Sequence, residues 1–160
     1  MGLRNAASRA AARGPVPVFP VAGLGARAAV DSLLLEPRLH IVDTPAAANV
    51  LLLAGGVPSG LAAELARLHD GMSRPRTSLW WTLGASVPPT IRCPTEVRDP
   101  DPSSLVVAVV DVHRRLLTGE LASSSPQLPD EDAAPWRGIG PYGQGGTGMT
   151  GGVPYGRPMA

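Results

Sequence analysis

At 160 residues the chain has room for one domain and little more, and its 44% apolar content is enough to form a core. The formal net charge is only +1, carried by arginines without a single lysine, and no basic cluster interleaves with aromatic residues, so the sequence predicts no nucleic-acid surface. The one cysteine, Cys93, excludes an internal disulfide and fits a reducing compartment, and the longest apolar runs, 50–54 and 105–110, are too short to span a bilayer.

Residues 1–14 read as a flexible start. Arg4, Arg9 and Arg13 give it a sparse basic look, but Gly14-Pro15-Val16-Pro17 interrupts the apolar run a secretory signal needs. The stretch 15–21, Pro-Val-Pro-Val-Phe-Pro-Val, is extended, and its prolines predict an edge strand or polyproline geometry over a central strand. A turn at Ala22-Gly-Leu-Gly25 leads into helical spacing over 26–35, which Pro37 ends. Residues 39–42 follow as a short strand or part of the next loop.

The run 49–54, Asn-Val-Leu-Leu-Leu-Ala, is continuously apolar and closes on Gly55-Gly56. That is the pattern of a strand buried on both faces of a parallel sheet. Pro58 and Ser59 open an amphipathic helix over 60–69, with Leu61, Leu65 and Leu68 on one stripe and Gly71 as its stop. A second buried strand spans 77–83 and is closed by Gly84. Residues 85–102 read as irregular, and Ser103 or Ser104 caps a last helix over 105–117. Strand, helix, strand, loop, helix is a βαβ pattern, so the fold class is a small α/β domain over 15–120. It has an open, mostly parallel, flavodoxin-like sheet with flanking helices.

Beyond Gly119 the composition changes. Residues 121–135 form a polar linker, and 136–160 form a Gly/Pro-rich arm holding nine of the nineteen glycines. So many glycines cost too much ordering entropy for an independent core. The large side chains of Trp136, Tyr142, Met149, Tyr155, Arg157 and Met159 instead suit an extended arm lying on a partner.

Catalytic candidates are thin. Asp43, Glu96, Asp99, Asp101 and Asp111 are scattered, and His40, His69 and His113 share no motif. No nucleophile elbow and no zinc signature is present. Gly23-Leu-Gly25 lacks the third glycine of a dinucleotide turn, with Ala28 in its place, and Gly143-Gln-Gly-Gly-Thr-Gly148 has no strand before it. Cys93, before Pro94, has no base beside it and reads as an ordinary loop cysteine.

The order of these elements, and Ala48-Asn-Val-Leu-Leu-Leu-Ala-Gly55 in particular, resembles the small subunit shared by respiratory complex I and membrane-bound [NiFe] hydrogenases. There an ADVLLVTG-like strand precedes a helix and an R-x-V-x-A-x-G-x-C-like strand, to which Arg76–Ser86 is similar in layout. The family's C-P-P-x-P stretch resembles 93–102, so the likeness covers about residues 15–120. The tail is similar to a glycine-rich segment of the large subunit of hydrogenase-related complexes.

The family's small subunit holds a [4Fe–4S] cluster on four cysteines. The resemblance puts the early ligand pair within the turn of Ala22, Gly23 and Gly25 and a third ligand at Ser86, none of them a cysteine, with Cys93 as a remnant of the last ligand. It therefore implies a degenerate member without cofactor or metal: a non-catalytic structural subunit at the cytoplasmic face of the inner (plasma) membrane. The implied partners are a large-subunit homologue and antiporter-like membrane subunits, with peripheral and membrane arms joined through it. Two alternatives stay open. One is an electron-transfer or quinone-site-lining subunit using Trp80, Trp81 and Cys93; the other is a stand-alone small-molecule binder using the Gly23–Gly25 turn.

Overall fold

In a computed structural model of the chain, residues 13–124 are described, and they form a five-stranded, all-parallel sheet with helices on both faces. In chain order the elements are β1 (Val16–Ala22), α1 (Arg27–Ser32), β2 (Leu39–Ile41), β3 (Val50–Ala54), α2 (Ala62–Asp70), β4 (Thr77–Trp81), β5 (Thr95–Val97) and α3 (Pro102–Thr118). The strand order is β2-β1-β3-β4-β5, the flavodoxin-like arrangement. The arm expected over 136–160 and most of the linker over 121–135 lie outside the described residues.

The centre of the sheet follows from the two continuous apolar runs. Every residue of β3 and of β4 is buried, as strands covered on both faces must be. Side chains alternate, so Val50, Leu52 and Ala54 face one layer with Leu79 and Trp81, while Leu51 and Leu53 face the other with Trp80. The first layer is closed by Val30 and Leu33 around α1 and by Leu105, Val106, Val109 and Val112 of α3. The second is closed by Leu65 of α2 together with Val57, Met72 and Ile91.

β1 corrects the expectation of an edge strand. It lies between β2 and β3, paired in parallel with both. The reason its prolines do no harm is a stagger. β2 pairs only as far as Val18, the residue where β3 begins to pair. Val16 donates its amide toward β2, at Arg38 O, and Val18 accepts there from Val42 N, whereas Pro17 O turns toward β3 and accepts from Asn49 N. By this alternation the nitrogen of Pro17 faces β3 before its ladder starts, and that of Pro20 faces β2 after its ladder has ended. Neither position calls for an N–H. The same stagger explains why the β2–β3 connection needs no helix: it crosses β1 with a single 3-10 turn, Pro45–Ala47.

Two further expectations are revised. Residues 85–102 are not wholly irregular, because Thr95–Val97 adds to β4 as the outer strand β5. The last helix starts earlier than expected, with Pro102 in its first turn and Asp101 as the cap, its carboxylate accepting from Ser103 N at 3.2 Å. It ends at Gly119, whose φ of +79° is the left-handed stop that glycine adopts without strain.

At the carboxyl edge of the sheet the loops after β1 and β3 touch backbone to backbone. Gly23 N donates to Ala54 O at 2.7 Å, and Leu24 N donates to Gly56 O at 2.9 Å. A Cβ on Gly23 would collide with Gly56 O and stand 2.8 Å from the Gly56 carbonyl carbon and 2.9 Å from Ala54 O. Because those neighbours are backbone, they cannot rotate away. Gly23→Ala is therefore expected to lower stability in urea by about 1–3 kcal/mol. Gly60→Ala, where nothing stands within 4 Å, should be neutral or slightly stabilising. Equal stability of the two variants would contradict the contact.

Candidate functional site

In open α/β sheets ligands gather at the carboxyl edge, above all where successive connections leave for opposite faces. Here that place is the gap between β1 and β3, and it is closed. The amides of Gly23 and Leu24 are spent on Ala54 O and Gly56 O, and that of Ala26 on Gly23 O at 3.2 Å. A phosphate cradle needs free, convergent amides. The turn at Gly23–Gly25 serves as a strap between loops.

An open cleft lies to one side, over the carboxyl halves of β4 and β5. It measures about 430 Å³ and is lined by Trp80, Thr82, Gly84, Ala85, Ser86, Pro88, Glu96 and Arg98. Its wall is shaped by the turn that ends β4, in which Ala85 N donates to Thr82 O at 2.8 Å. Both central residues of this turn have positive φ, +47° at Leu83 and +83° at Gly84. Glycine adopts that geometry freely, whereas Leu83 is held there at some cost in strain, anchored by its packing on the α1/α3 layer.

The polar groups of the cleft partly neutralise one another. Arg98 Nε donates to Glu96 Oε1 at 2.8 Å on the exposed rim. Trp80 Nε1 donates to Gly55 O at 3.0 Å, so its indole is fixed from below. Trp81 points to the opposite layer, where its Nε1 donates to Asp99 O at 2.8 Å and ties β4 to the cap of α3. Asp99 also accepts from Asp101 N and from Ser104 Oγ, bonds that hold its carboxyl below the usual range. This acid organises a helix start.

The positions named from the sequence are only partly brought together. Ala22, Gly23 and Gly25 lie in the loop after β1 and Ser86 in the loop after β4, all at the carboxyl edge, with Ser86 inside the cleft. Cys93 precedes β5, whose Thr95 sits level with Leu79, so the thiol belongs to the amino half of the sheet. It packs against the layer under α2. Trp136, Tyr142, Met149, Tyr155, Arg157 and Met159 lie outside the described residues. Sequence reasoning missed Glu96, Arg98 and Thr82 as neighbours in the cleft, because β5 itself was missed.

A cubane of iron and sulfide needs four soft donors converging on one point. The carboxyl edge offers a methyl group, two glycines and one hydroxyl, and the backbone of Gly56 occupies the space a side chain at position 23 would enter. The single thiol stands at the other end of its strand. These residues do not fit the cluster. Among the described residues no group of three or more His, Cys, Asp or Glu side chains could hold a metal ion. None of the described helices is long and apolar enough to cross a membrane.

No family model matches this chain, and no curated protein matches it.

Burial pushes the Cys93 thiol up to about 11, with a hydrogen bond to Ser78 pulling the other way. The nucleophile is the thiolate, so a raised value means an inert cysteine at neutral pH. In the folded chain at pH 8, alkylation by iodoacetamide should run about a hundredfold or more slower than for an ordinary thiol, and recover in denaturant. Fast labelling of the native protein would show that the half-buried Cys93 thiol is not desolvated as described.

Proposed function

We propose that this chain is a non-catalytic structural subunit of a complex-I-like or hydrogenase-related membrane assembly, in which its sheet docks a large-subunit homologue and its own iron–sulfur site has been lost. It sits at the cytoplasmic face of the membrane as a peripheral component and helps join the peripheral arm to antiporter-like membrane subunits. The residues 136–160 lie along the partner, anchored by Trp136, Tyr142, Met149, Tyr155, Arg157 and Met159. The observation that carries this reading is the strap at Gly23 and Gly56. Where the small subunits it resembles present cluster cysteines, this chain presents backbone locked to backbone. The strand order and the run of buried residues through β3 agree with the resemblance in layout.

Bond-making chemistry has little support in the arrangement. The cleft holds one carboxylate already paired to an arginine, and its hydroxyls, Thr82 and Ser86, have no base beside them. A second reading draws on the cleft itself: in the assembled complex the chain lines a quinone or other small-molecule site with Trp80 and Ser86. Of the three residues that reading named, only Trp80 lines the cleft, whereas Trp81 and Cys93 face elsewhere. A binder built on the Gly23–Gly25 turn is disfavoured by the spent amides.

The test is purification of the native assembly through a tag on this chain, with mass spectrometry of the co-purifying proteins and iron analysis of the isolated subunit. A large-subunit homologue should co-purify, no iron should remain with this chain, and removal of residues 136–160 should release the partner. A cubane bound to this chain, or a lone monomer in place of an assembly, would overturn the proposal.

A further inference from the structure

A polar cluster around two buried side chains lies at the amino edge of the sheet, opposite the cleft. His69, in the last turn of α2, is only 1% exposed, and Arg76, just before β4, is 6% exposed. The Arg76 guanidinium donates to Asp70 O at 2.7 Å, to Met72 O at 3.3 Å and to Asp70 Oδ1 at 2.8 Å. The chain that leaves α3 returns to this cluster. Leu121 N donates to Arg115 O, Ser124 N donates to Arg76 O at 2.9 Å, and Arg76 N donates to Ser123 Oγ at 3.1 Å. His69 Nε2 lies 2.8 Å from Ser124 Oγ.

Two buried nitrogens of this cluster, His69 Nδ1 and Arg76 Nε, have no hydrogen-bond partner among the described residues. For His69 that assigns the neutral tautomer with its proton on Nε2, donating to Ser124, because a bare lone pair on Nδ1 costs less than a buried N–H with no acceptor. Protonation would create that orphan donor. It would also place a second cation beside Arg76, whose countercharge, Asp70, is already committed to it. The groups acting on His69 are Arg76 from the turn before β4, Asp70 beside it on α2, and the hydroxyls of the segment after α3. Of these parts, the segment after α3 is the shortest, with Ala122 and Ser123 exposed and Leu121 and Ser124 half-buried, and displacing it would open the Nε2 side of the imidazole to water.

We propose that residues 121–124 are an acid-sensitive latch: neutral His69 holds Ser124 against Arg76, and a proton on His69 releases the segment back to Gly119. Freeing these residues takes Ser123 and Ser124 off Arg76 and lets residues 121–124 extend about 15 Å from Gly119. Burial, and then the charge of Arg76, hold the His69 imidazole below its ordinary 6.5, while Asp70 opposes them. The latched state therefore binds fewer protons than the released one. Its stability is full above the ordinary value and is lost as pH falls from there toward the lowered one. The latch stands whatever residues 136–160 bind, so its failure would leave the proposed partner untouched.

The full chain, isotope-labelled, tests this by amide hydrogen exchange and by imidazole NMR titration. After correction for intrinsic rates, protection of the Ser124 amide should fall about tenfold or more between about pH 7.5 and about pH 4.5, while that of Leu52 in β3 stays nearly constant. In His69→Gln, whose amide can still donate to Ser124 but does not titrate, the fall should vanish. Ser124→Ala supplies an independent readout if that variant does not fold: the His69 titration should move up toward its ordinary range. Protection that ignores pH, a fall of equal size in His69→Gln or shared equally by Leu52, or an unmoved titration in Ser124→Ala would overturn the latch.

Discussion

Two backbone hydrogen bonds, from Gly23 N to Ala54 O and from Leu24 N to Gly56 O, govern what the carboxyl edge of this sheet can do. A doubly wound sheet parts its connections between β1 and β3, and the space left between them is normally where a ligand enters. Here the residue after β1 is a glycine that lets the two loops approach until no Cβ fits between them. The space becomes an internal contact. Whatever recognition remains is pushed sideways, to the cleft over β4 and β5, or outward to loops and termini.

That closure agrees with a subunit that supplies architecture. A cluster at this edge would need thiolates, and the one thiol in the chain lies at the amino half of the sheet, half-buried and pushed up by desolvation. The two tryptophans of β4 are likewise structural in their hydrogen bonding. One indole is tied to Gly55 O and the other to Asp99 O, so each braces a neighbouring loop. Two buried polar side chains, His69 and Arg76, are grouped where residues 121–124 return to the amino edge of the sheet. The fold thus spends costly polar burial on tying residues 121–124 to the turn before β4.

Much of the fold was legible in the sequence because burial on both faces leaves a mark that needs no context. The runs 50–54 and 77–81 are apolar throughout, and each is followed by a glycine with positive φ or a turn containing one. β5 was not legible, since Thr95-Glu96-Val97 is three residues long, flanked by Pro94 and Pro100, with one side chain exposed. The interior place of β1 was hidden for a different reason. A rule about prolines in sheets takes the strands as level, and the stagger between β2 and β3 is a tertiary fact. The contacts at the candidate site and at the amino edge are longer-range still: Gly23 with Gly56 and Glu96 beside Trp80 at the first, His69 with Ser124 at the second. Residue types could nominate each partner, but only the folded chain brings them together. The start of α3 is the exception, since its cap is local and Asp101-Pro102 carries it in sequence as plainly as the serines that follow.

The central claim is that the gap between β1 and β3 is closed by backbone and is no ligand or cluster site. Exchange of the Leu24 amide measures it most directly. If the strap is present, this amide, although Leu24 itself is 80% exposed, should exchange as slowly as amides within β3, opening only with the sheet. Exchange within about tenfold of the rate for an unstructured loop would show the gap to be open, and the account built on it would fail.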